Sequence, residues 1–252
     1  MQEVRAAAAR PGAARTLLLD VDGTLAPLAP TPEEASVPAA TLGTLRRLSE
    51  QGWTLVAVSG RPAREIRRML PLGGLLVFGS HGAERPAGLP GAAAMPSAGT
   101  LARLDRLHAG LQELAADHPG VRLELKPAGL AIHDRALASA GEREWRAALR
   151  EWLAARDIGD LEILEGKRVV ELRPRGVDKG AAVAAIAAHL GLAAEDGSFL
   201  ALGDDVTDED MFREMRGRGL AVRVGESGAP TGAARRLASI EDAAEFLRRL
   251  AG

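Results

Sequence analysis

Three short apolar segments of the chain each end in glycine and in acidic or hydroxyl residues. They lie at 15–20, 54–58 and 199–202, and leucines at helical spacing separate the first two. Short apolar segments bounded by such residues predict buried strands. Strands that alternate with helices predict a parallel sheet with helical crossovers. The chain therefore favours a Rossmann-like α/β core.

The middle of the chain follows a different pattern. Leucines at helical spacing between 101 and 114 predict a helix, and alternating residues at 121–126 and 130–135 predict a hairpin. A second helix around Trp145 precedes a second hairpin at 161–173. This order predicts an antiparallel sheet backed by two helices, which is an α+β layer inserted into the α/β core.

The domain boundaries follow from this change of pattern. Residues 86–99 are rich in Pro, Gly and Ala and predict a linker. After Pro174 the alternation of strands and helices resumes. We therefore expect a discontinuous catalytic core at 1–86 and 174–252, and an inserted α+β domain at 87–173.

Composition excludes several classes of function. The formal net charge is −2 and aromatic residues make up 3%, which argues against nucleic-acid binding. The chain has no cysteine, so disulfides, thiol catalysis and thiolate metal sites are excluded. Neither a signal peptide nor a run of about 18 apolar residues is evident. We expect a cytoplasmic protein that binds neither nucleic acid nor membrane.

The first chemical motif is DVDGT at 20–24, directly after a predicted strand. Asp20 and Asp22 are two residues apart and would point to one side, where a divalent cation would relieve their repulsion. One carboxylate could attack phosphorus while the other handles the proton of the leaving group. The alternative is a strand end followed by an Asx turn.

The second motif is SGRP at 59–62, at the next strand end. Ser59 could donate a hydrogen bond to a phosphate oxygen, and Pro62 suits the first turn of a helix. Arg61, in the same turn, is a predicted substrate-binding residue. The alternative is an ordinary turn between a strand and a helix.

The third motif is GVDKG at 176–180, where a helix is predicted to begin. Lys179 could neutralise both a phosphate and a nucleophilic carboxylate. In the alternative reading, Asp178 caps the helix and Lys179 lies in solvent. This segment alone favours that alternative, although lysine is otherwise found only at positions 126 and 167.

The fourth motif, GDDVTDED at 203–210, places several acids at a strand end. Their repulsion favours a cation, and ligands that are all oxygen suit Mg²⁺. We interpret Thr207 and Asp210 as a helix capping box, and Asp204 as a metal ligand.

In this order, the four motifs resemble those of the haloacid dehalogenase-like (HAD) phosphatase superfamily over nearly the whole chain. Five further matches are similar to trehalose-6-phosphate phosphatases. They are GSHGAE at 79–84, the extended run at 203–212, and the short runs at 124–126, 133–135 and 171–174. The resemblance implies the HAD fold, with the insert acting as a mobile cap domain that sets substrate specificity.

The resemblance also implies a mechanism. Asp20 would be the nucleophile that forms an aspartyl phosphate, and Asp22 would protonate the departing sugar oxygen and then activate water. Ser59 and Lys179 would hold the phosphoryl oxygens. Mg²⁺ would be bound by Asp20, by the backbone carbonyl of Asp22 and by Asp204.

Candidate sugar ligands lie in the inserted domain. Strand alternation predicts that Glu124, Lys126, His133 and Arg135 share one polar face, where they could bind sugar hydroxyls and phosphate. A solvated sheet face with cross-strand charge pairs is the alternative. Glu171 is a sugar ligand by resemblance alone.

The expected activity is hydrolysis of trehalose 6-phosphate, in trehalose biosynthesis. Other HAD enzymes share the core motifs, so sucrose-phosphate phosphatase, mannosyl-3-phosphoglycerate phosphatase and phosphomutase remain alternatives. A catalytically silent domain that binds sugar phosphate is another. A trehalose-6-phosphate synthase is the suggested functional partner, and the sequence leaves open whether the chain works alone.

Overall fold

A computed structural model describes residues 15–89, 95–166, 168–191, 199–225, 228 and 230–252. Residues 1–14 and 90–94, the latter within the predicted linker, lie outside the described residues, as does Lys167 of the second predicted hairpin. None of the helices in the described part combines the length and the apolar character needed to cross a bilayer.

The helices and strands alternate as expected. The strands are β1 (Arg15–Leu19), β2 (Trp53–Val58), β3 (Leu76–Phe78), β4 (Arg122–Lys126), β5 (Gly129–His133), β6 (Leu161–Gly166), β7 (Val169–Pro174), β8 (Phe199–Gly203), β9 (Gly219–Val224) and β10 (Arg235–Leu237). The α-helices are α1 (Ala39–Glu50), α2 (Ala63–Met69), α3 (Ala98–Ala116), α4 (Ser139–Ala154), α5 (Lys179–His189), α6 (Asp208–Glu214) and α7 (Ile240–Leu250).

The chain divides into two compact units. The core unit comprises Met1–Ala93 and Asp178–Gly252, and the inserted unit comprises Ala94–Val177. These limits lie seven residues after the first boundary expected from the sequence and four residues after the second. The roles expected of the two units, catalysis and substrate specificity, stay predictions.

The core unit is built on a parallel sheet of six strands in the order β10-β9-β8-β1-β2-β3. Its central strand β1 is apolar on both faces because both faces are covered. Leu17 and Leu19 pack into a cluster with α1 and α7, whereas Leu18 packs on the other side with α5 and α6. The predicted Rossmann-like fold is confirmed.

The inserted unit has an antiparallel sheet in the order β4-β5-β7-β6, backed by α3 and α4. Trp145 is fully buried in the cluster between this sheet and the two helices. The helix-hairpin-helix-hairpin order predicted from the sequence is therefore correct.

Two details of the prediction are wrong. The strand expected to reach Arg135 ends at His133, so strand alternation does not place Arg135 on the polar face. Strand β10 was not predicted, because a short edge strand with Arg235 and Arg236 lacks an apolar run.

Candidate active site

The first, second and fourth motifs meet at one edge of the core sheet. Asp20 follows β1, Ser59 follows β2 and Asp204 follows β8, and these three strands are neighbours in the sheet. Leu19 pairs with Ala57 on one side and with Leu202 on the other, so the strands end nearly level. This edge is where open α/β sheets bind ligands.

A tight turn after β1 brings the backbone of Gly23 close to the carboxylate of Asp204. The backbone of Gly23 has a φ of +80°, and its N–H donates to the carbonyl oxygen of Ala26 at 2.8 Å. A Cβ atom at this position would lie 2.1 Å from Oδ2 of Asp204. Both the left-handed backbone and the close carboxylate therefore require glycine.

Lys179 is buried in the first turn of α5, with 2% of its surface exposed. Its Nζ donates to Oδ1 of Asp20 at 2.7 Å and to Oδ1 of Asp208 at 2.8 Å. Asp178 caps the same helix by accepting from the N–H of Ala181 at 3.0 Å. The helix cap and the inward-facing lysine, treated as alternatives from the sequence, therefore coexist.

Burial and charge shift the pKa values of this cluster. Burial raises the pKa of Asp20 well above its usual range, and the ammonium of Lys179 partly opposes this rise. For Lys179 burial acts in the opposite direction, but Asp20 and Asp208 outweigh it and raise the lysine pKa. Burial, then the charge of Asp208, raises the pKa of Asp204 to about 7. Such buried carboxylates favour a cation close by.

Asp208 is a central residue that the sequence interpretation missed. Its Oδ2 accepts from the backbone N–H groups of Asp204 at 2.9 Å and of Asp205 at 3.0 Å, while its Oδ1 accepts from Lys179. The expected capping box is wrong in one respect, because the side chain of Thr207 makes no capping hydrogen bond. The available signal was the placement of Asp208 in the first turn after an acidic strand end.

The carboxylates fit a small hard cation. Asp20, Asp204 and Asp208 each present an oxygen, and these oxygens lie within 4.8 Å of one another. Oxygen-only sites suit Mg²⁺. Oδ2 of Asp208 already accepts two backbone N–H groups and its Oδ1 accepts from Lys179, so Asp20 and Asp204 have more lone pairs left with which they could hold an ion.

The second motif positions Ser59 and engages Asp22. The Oγ of Ser59 is buried and accepts from the N–H of Arg61 at 3.2 Å, and a hydroxyl that accepts still has its own hydrogen to donate. The guanidinium of Arg61 binds both carboxylate oxygens of Asp22, at 2.6 and 2.8 Å. Asp22 thus lies beside Asp20 in sequence but has a different cationic partner.

A strained turn after β3 supports this second motif. Ser80 and His81 have φ values of 48° and 57°, which are uncommon for residues other than glycine. Their N–H groups donate to the carbonyl oxygens of Arg61 at 2.8 Å and of Ser59 at 3.0 Å. Oε1 of Glu84 accepts from the N–H of Ala63 at 3.1 Å, at the start of α2. Hydrogen bonds from this turn therefore hold the backbone of the Ser59–Arg61 loop in place.

The inserted unit gathers most of the predicted sugar ligands. Cross-strand pairing aligns Glu124 with Ala131 and Ala131 with Glu171, so the two glutamates share a face. His133 Nε2 lies 2.8 Å from Glu124 Oε2, and Lys126 is paired with Glu171. Burial alone would raise the pKa of Glu124, but hydrogen bonding to His133 and the charge of Lys126 lower it. Their role as ligands stays a prediction, as does that of Arg135.

Comparison with solved structures supports the fold. The C-terminal domain of trehalose-6-phosphate phosphatase from C. albicans matches with a TM-score of 0.85 and 23% identity, over 100% of this chain and 96% of that one. A haloacid dehalogenase-like hydrolase from Bacteroides thetaiotaomicron matches with a TM-score of 0.61 and 18% identity, over 94% of this chain and 99% of that one. The core sheet with its inserted unit is therefore the HAD fold.

Sequence comparison identifies the family. The trehalose-phosphatase family model matches residues 18–239. A probable trehalose-phosphate phosphatase of Sinorhizobium fredii is 39% identical over 236 residues, which is 92% of this chain and 84% of that protein. This chain therefore has the HAD fold and belongs to the trehalose-phosphatase family, a family of phosphatase enzymes.

Proposed function

We propose that this phosphatase hydrolyses trehalose 6-phosphate to trehalose and phosphate, with Asp20 as its nucleophile. The observation that carries the mechanism is the buried contact of 2.7 Å between Lys179 Nζ and Asp20 Oδ1. The substrate is inferred from the family and from the names of the relatives. A trehalose-6-phosphate synthase, whose product would be this substrate, is the proposed functional partner.

In the first step an oxygen of Asp20 attacks phosphorus, and the bond from phosphorus to the sugar oxygen breaks. The departing oxygen takes a proton from Asp22, so trehalose leaves as a neutral alcohol. Lys179 and the hydroxyl of Ser59 offset the charge on the phosphoryl oxygens. The product of this step is an aspartyl phosphate on Asp20.

In the second step water attacks phosphorus and the bond to Asp20 breaks. Asp22, deprotonated by the first step, takes a proton from the attacking water, which restores its starting state. Phosphate then leaves and Asp20 is free again. One carboxyl group can serve both steps because the proton that it gives in the first is replaced in the second.

Mg²⁺ is the proposed cofactor. Asp20, Asp204 and the backbone carbonyl of Asp22 would hold the ion, and Asp208 would keep Asp204 in place. When bound, the ion would offset the negative charge shared by Asp20 and the phosphoryl group. The short distances among the carboxylate oxygens support this assignment.

A phosphate-release panel tests the proposal. It compares trehalose 6-phosphate with sucrose 6-phosphate, mannosyl-3-phosphoglycerate and glucose 6-phosphate, each with Mg²⁺ and with a chelator. We expect the highest kcat/KM for trehalose 6-phosphate, and release only when Mg²⁺ is present. A higher kcat/KM for another sugar phosphate would overturn the proposal that trehalose 6-phosphate is the substrate. A product that keeps its phosphate at a new position would indicate a phosphomutase instead.

A further inference from the structure

All three guanidinium nitrogens of Arg61 donate hydrogen bonds to other groups of the protein. Its Nε and Nη2 donate to the two oxygens of Asp22 at 2.6 and 2.8 Å. Its Nη1 donates to the carbonyl oxygen of Pro32 at 2.8 Å and to Glu65 at 3.3 Å. Every guanidinium nitrogen is therefore used inside the core unit, which is unexpected for a residue predicted to bind substrate.

The pair is anchored on one side and accessible on the other. The side chain of Arg61 is 9% exposed, whereas that of Asp22 is 29% exposed. Two parallel N–H···O bonds fix both the position and the plane of a carboxylate. Each carboxylate oxygen keeps a second lone pair, so Asp22 can still meet a proton from the accessible side.

We propose that Arg61 is a positioning residue, which orients the carboxyl group of Asp22 for proton transfer and does not itself bind the substrate. The inference rests on the proposed function, in which Asp22 exchanges a proton with the leaving group and with water. Proton transfer requires heavy atoms within hydrogen-bonding distance and in line. A free Asp22 side chain on a turn would sample other rotamers, and the planar fork of Arg61 prevents this.

The two possible roles of Arg61 differ in how its loss combines with the loss of Asp22. A residue that acts only through Asp22 has no further effect on the rate once Asp22 is an amide, so the double variant should be no slower than Asp22→Asn alone. A substrate ligand has its own effect, so the factors by which the two substitutions slow the reaction multiply in the double variant. The two roles also predict different effects of the leaving group. A loss of proton donation slows the reaction more as the leaving group becomes more basic, whereas a loss of substrate binding does not depend on that basicity.

The test is a double-mutant cycle with Arg61→Ala, Asp22→Asn and the double variant. The substrates are aryl phosphates whose phenols span a range of basicity, with the release of phenol measured in single turnovers. Using phenols removes any contribution from sugar binding. Arg64→Ala, an exposed arginine on the same helix α2, is the matched control.

We expect Arg61→Ala and Asp22→Asn each to slow release of the most basic phenol by about 100-fold or more, the usual range for general acid catalysis. Release of nitrophenol should change far less, and the double variant should lie within about twofold of Asp22→Asn. Losses that multiply in the double variant, or that are equal for all phenols, would overturn the inference.

Arg61→Lys guards against a folding defect. Lysine keeps the positive charge but cannot donate two parallel N–H groups to a carboxylate. We therefore expect Arg61→Lys to fold and to show the same dependence on the leaving group as Arg61→Ala. Wild-type rates from Arg61→Lys would contradict the inference, because the fork would then be dispensable. If the unmodified protein releases phosphate from neither trehalose 6-phosphate nor any aryl phosphate, the proposed function fails, which is a different outcome from multiplying losses.

Discussion

Lys179 and Asp20 are 159 positions apart in sequence, yet Nζ and Oδ1 lie 2.7 Å apart and both side chains are almost fully buried. Lys179 also bonds Asp208, so one ammonium group separates two carboxylates that would otherwise repel each other. The pair joins the end of β1 to the start of α5. The contact therefore links two elements of the core unit, and under the proposed mechanism it would serve the chemistry as well as the stability.

Lys179→Met should destabilise the protein strongly. Removing one member of a buried pair leaves uncompensated charges and costs about 3–5 kcal/mol. Arg213→Met is the matched control, because its partner Asp210 forms an exposed pair that is worth at most about 1 kcal/mol. Urea denaturation with a chelator present measures both. Equal losses in the two variants would contradict the buried role of Lys179.

Asp20→Asn should lower kcat for every phosphate ester by at least about a thousandfold, because an amide is a poor nucleophile. Asp205→Asn is the control. The side chain of Asp205 caps the N–H of Val206 rather than contacting Lys179, and its variant should keep most of the activity. Phosphate release and mass spectrometry of trapped phosphoprotein measure the effect. A phosphorylated, active Asp20→Asn variant would exclude this nucleophile.

Stabilisation by Mg²⁺ should grow with pH. Burial, and then Asp208, raises the pKa of Asp204 from 3.8 to about 7. A folded-state pKa above the unfolded value gives stability below the unfolded pKa, which is lost as pH rises through the folded pKa. The metal-free protein should therefore lose stability between about pH 4 and pH 7, where the carboxylate becomes available to the ion.

Thermal unfolding with Mg²⁺ and with a chelator, at about pH 5 and about pH 8, checks this. The increase in Tm caused by Mg²⁺ should be larger at the higher pH. Asp204→Asn should reduce the increase at both values. The same increase at both values of pH in the unmodified protein would contradict the role of Asp204.

Glu124→Ala and Lys126→Ala should harm the sugar phosphate far more than an aryl phosphate. Both residues lie in the polar cluster of the inserted unit, which is the predicted sugar-binding surface. We expect kcat/KM for trehalose 6-phosphate to fall by about tenfold or more, because a hydrogen bond to a charged group contributes about 1.5–3 kcal/mol. Equal losses on both substrates would argue against this surface.

The fold was predictable because its signals are local. The apolar run of β1, the helical spacing of Leu45 and Leu48 and the alternation in the hairpins each reflect which face of one element is buried. The short edge strand β10 was not predictable, because its pairing depends on β9 and not on its own apolar residues.

The sequence by itself determined which acidic and hydroxyl side chains follow the strands. It also determined that they meet, because residues after parallel strands lie at one edge of the sheet. That rule alone brings Asp20, Ser59 and Asp204 together. Only the tertiary structure decided which charges pair there. Lys179 with Asp208, and Arg61 with Asp22, depend on the approach of distant side chains in a buried site, where desolvation makes a partner obligatory.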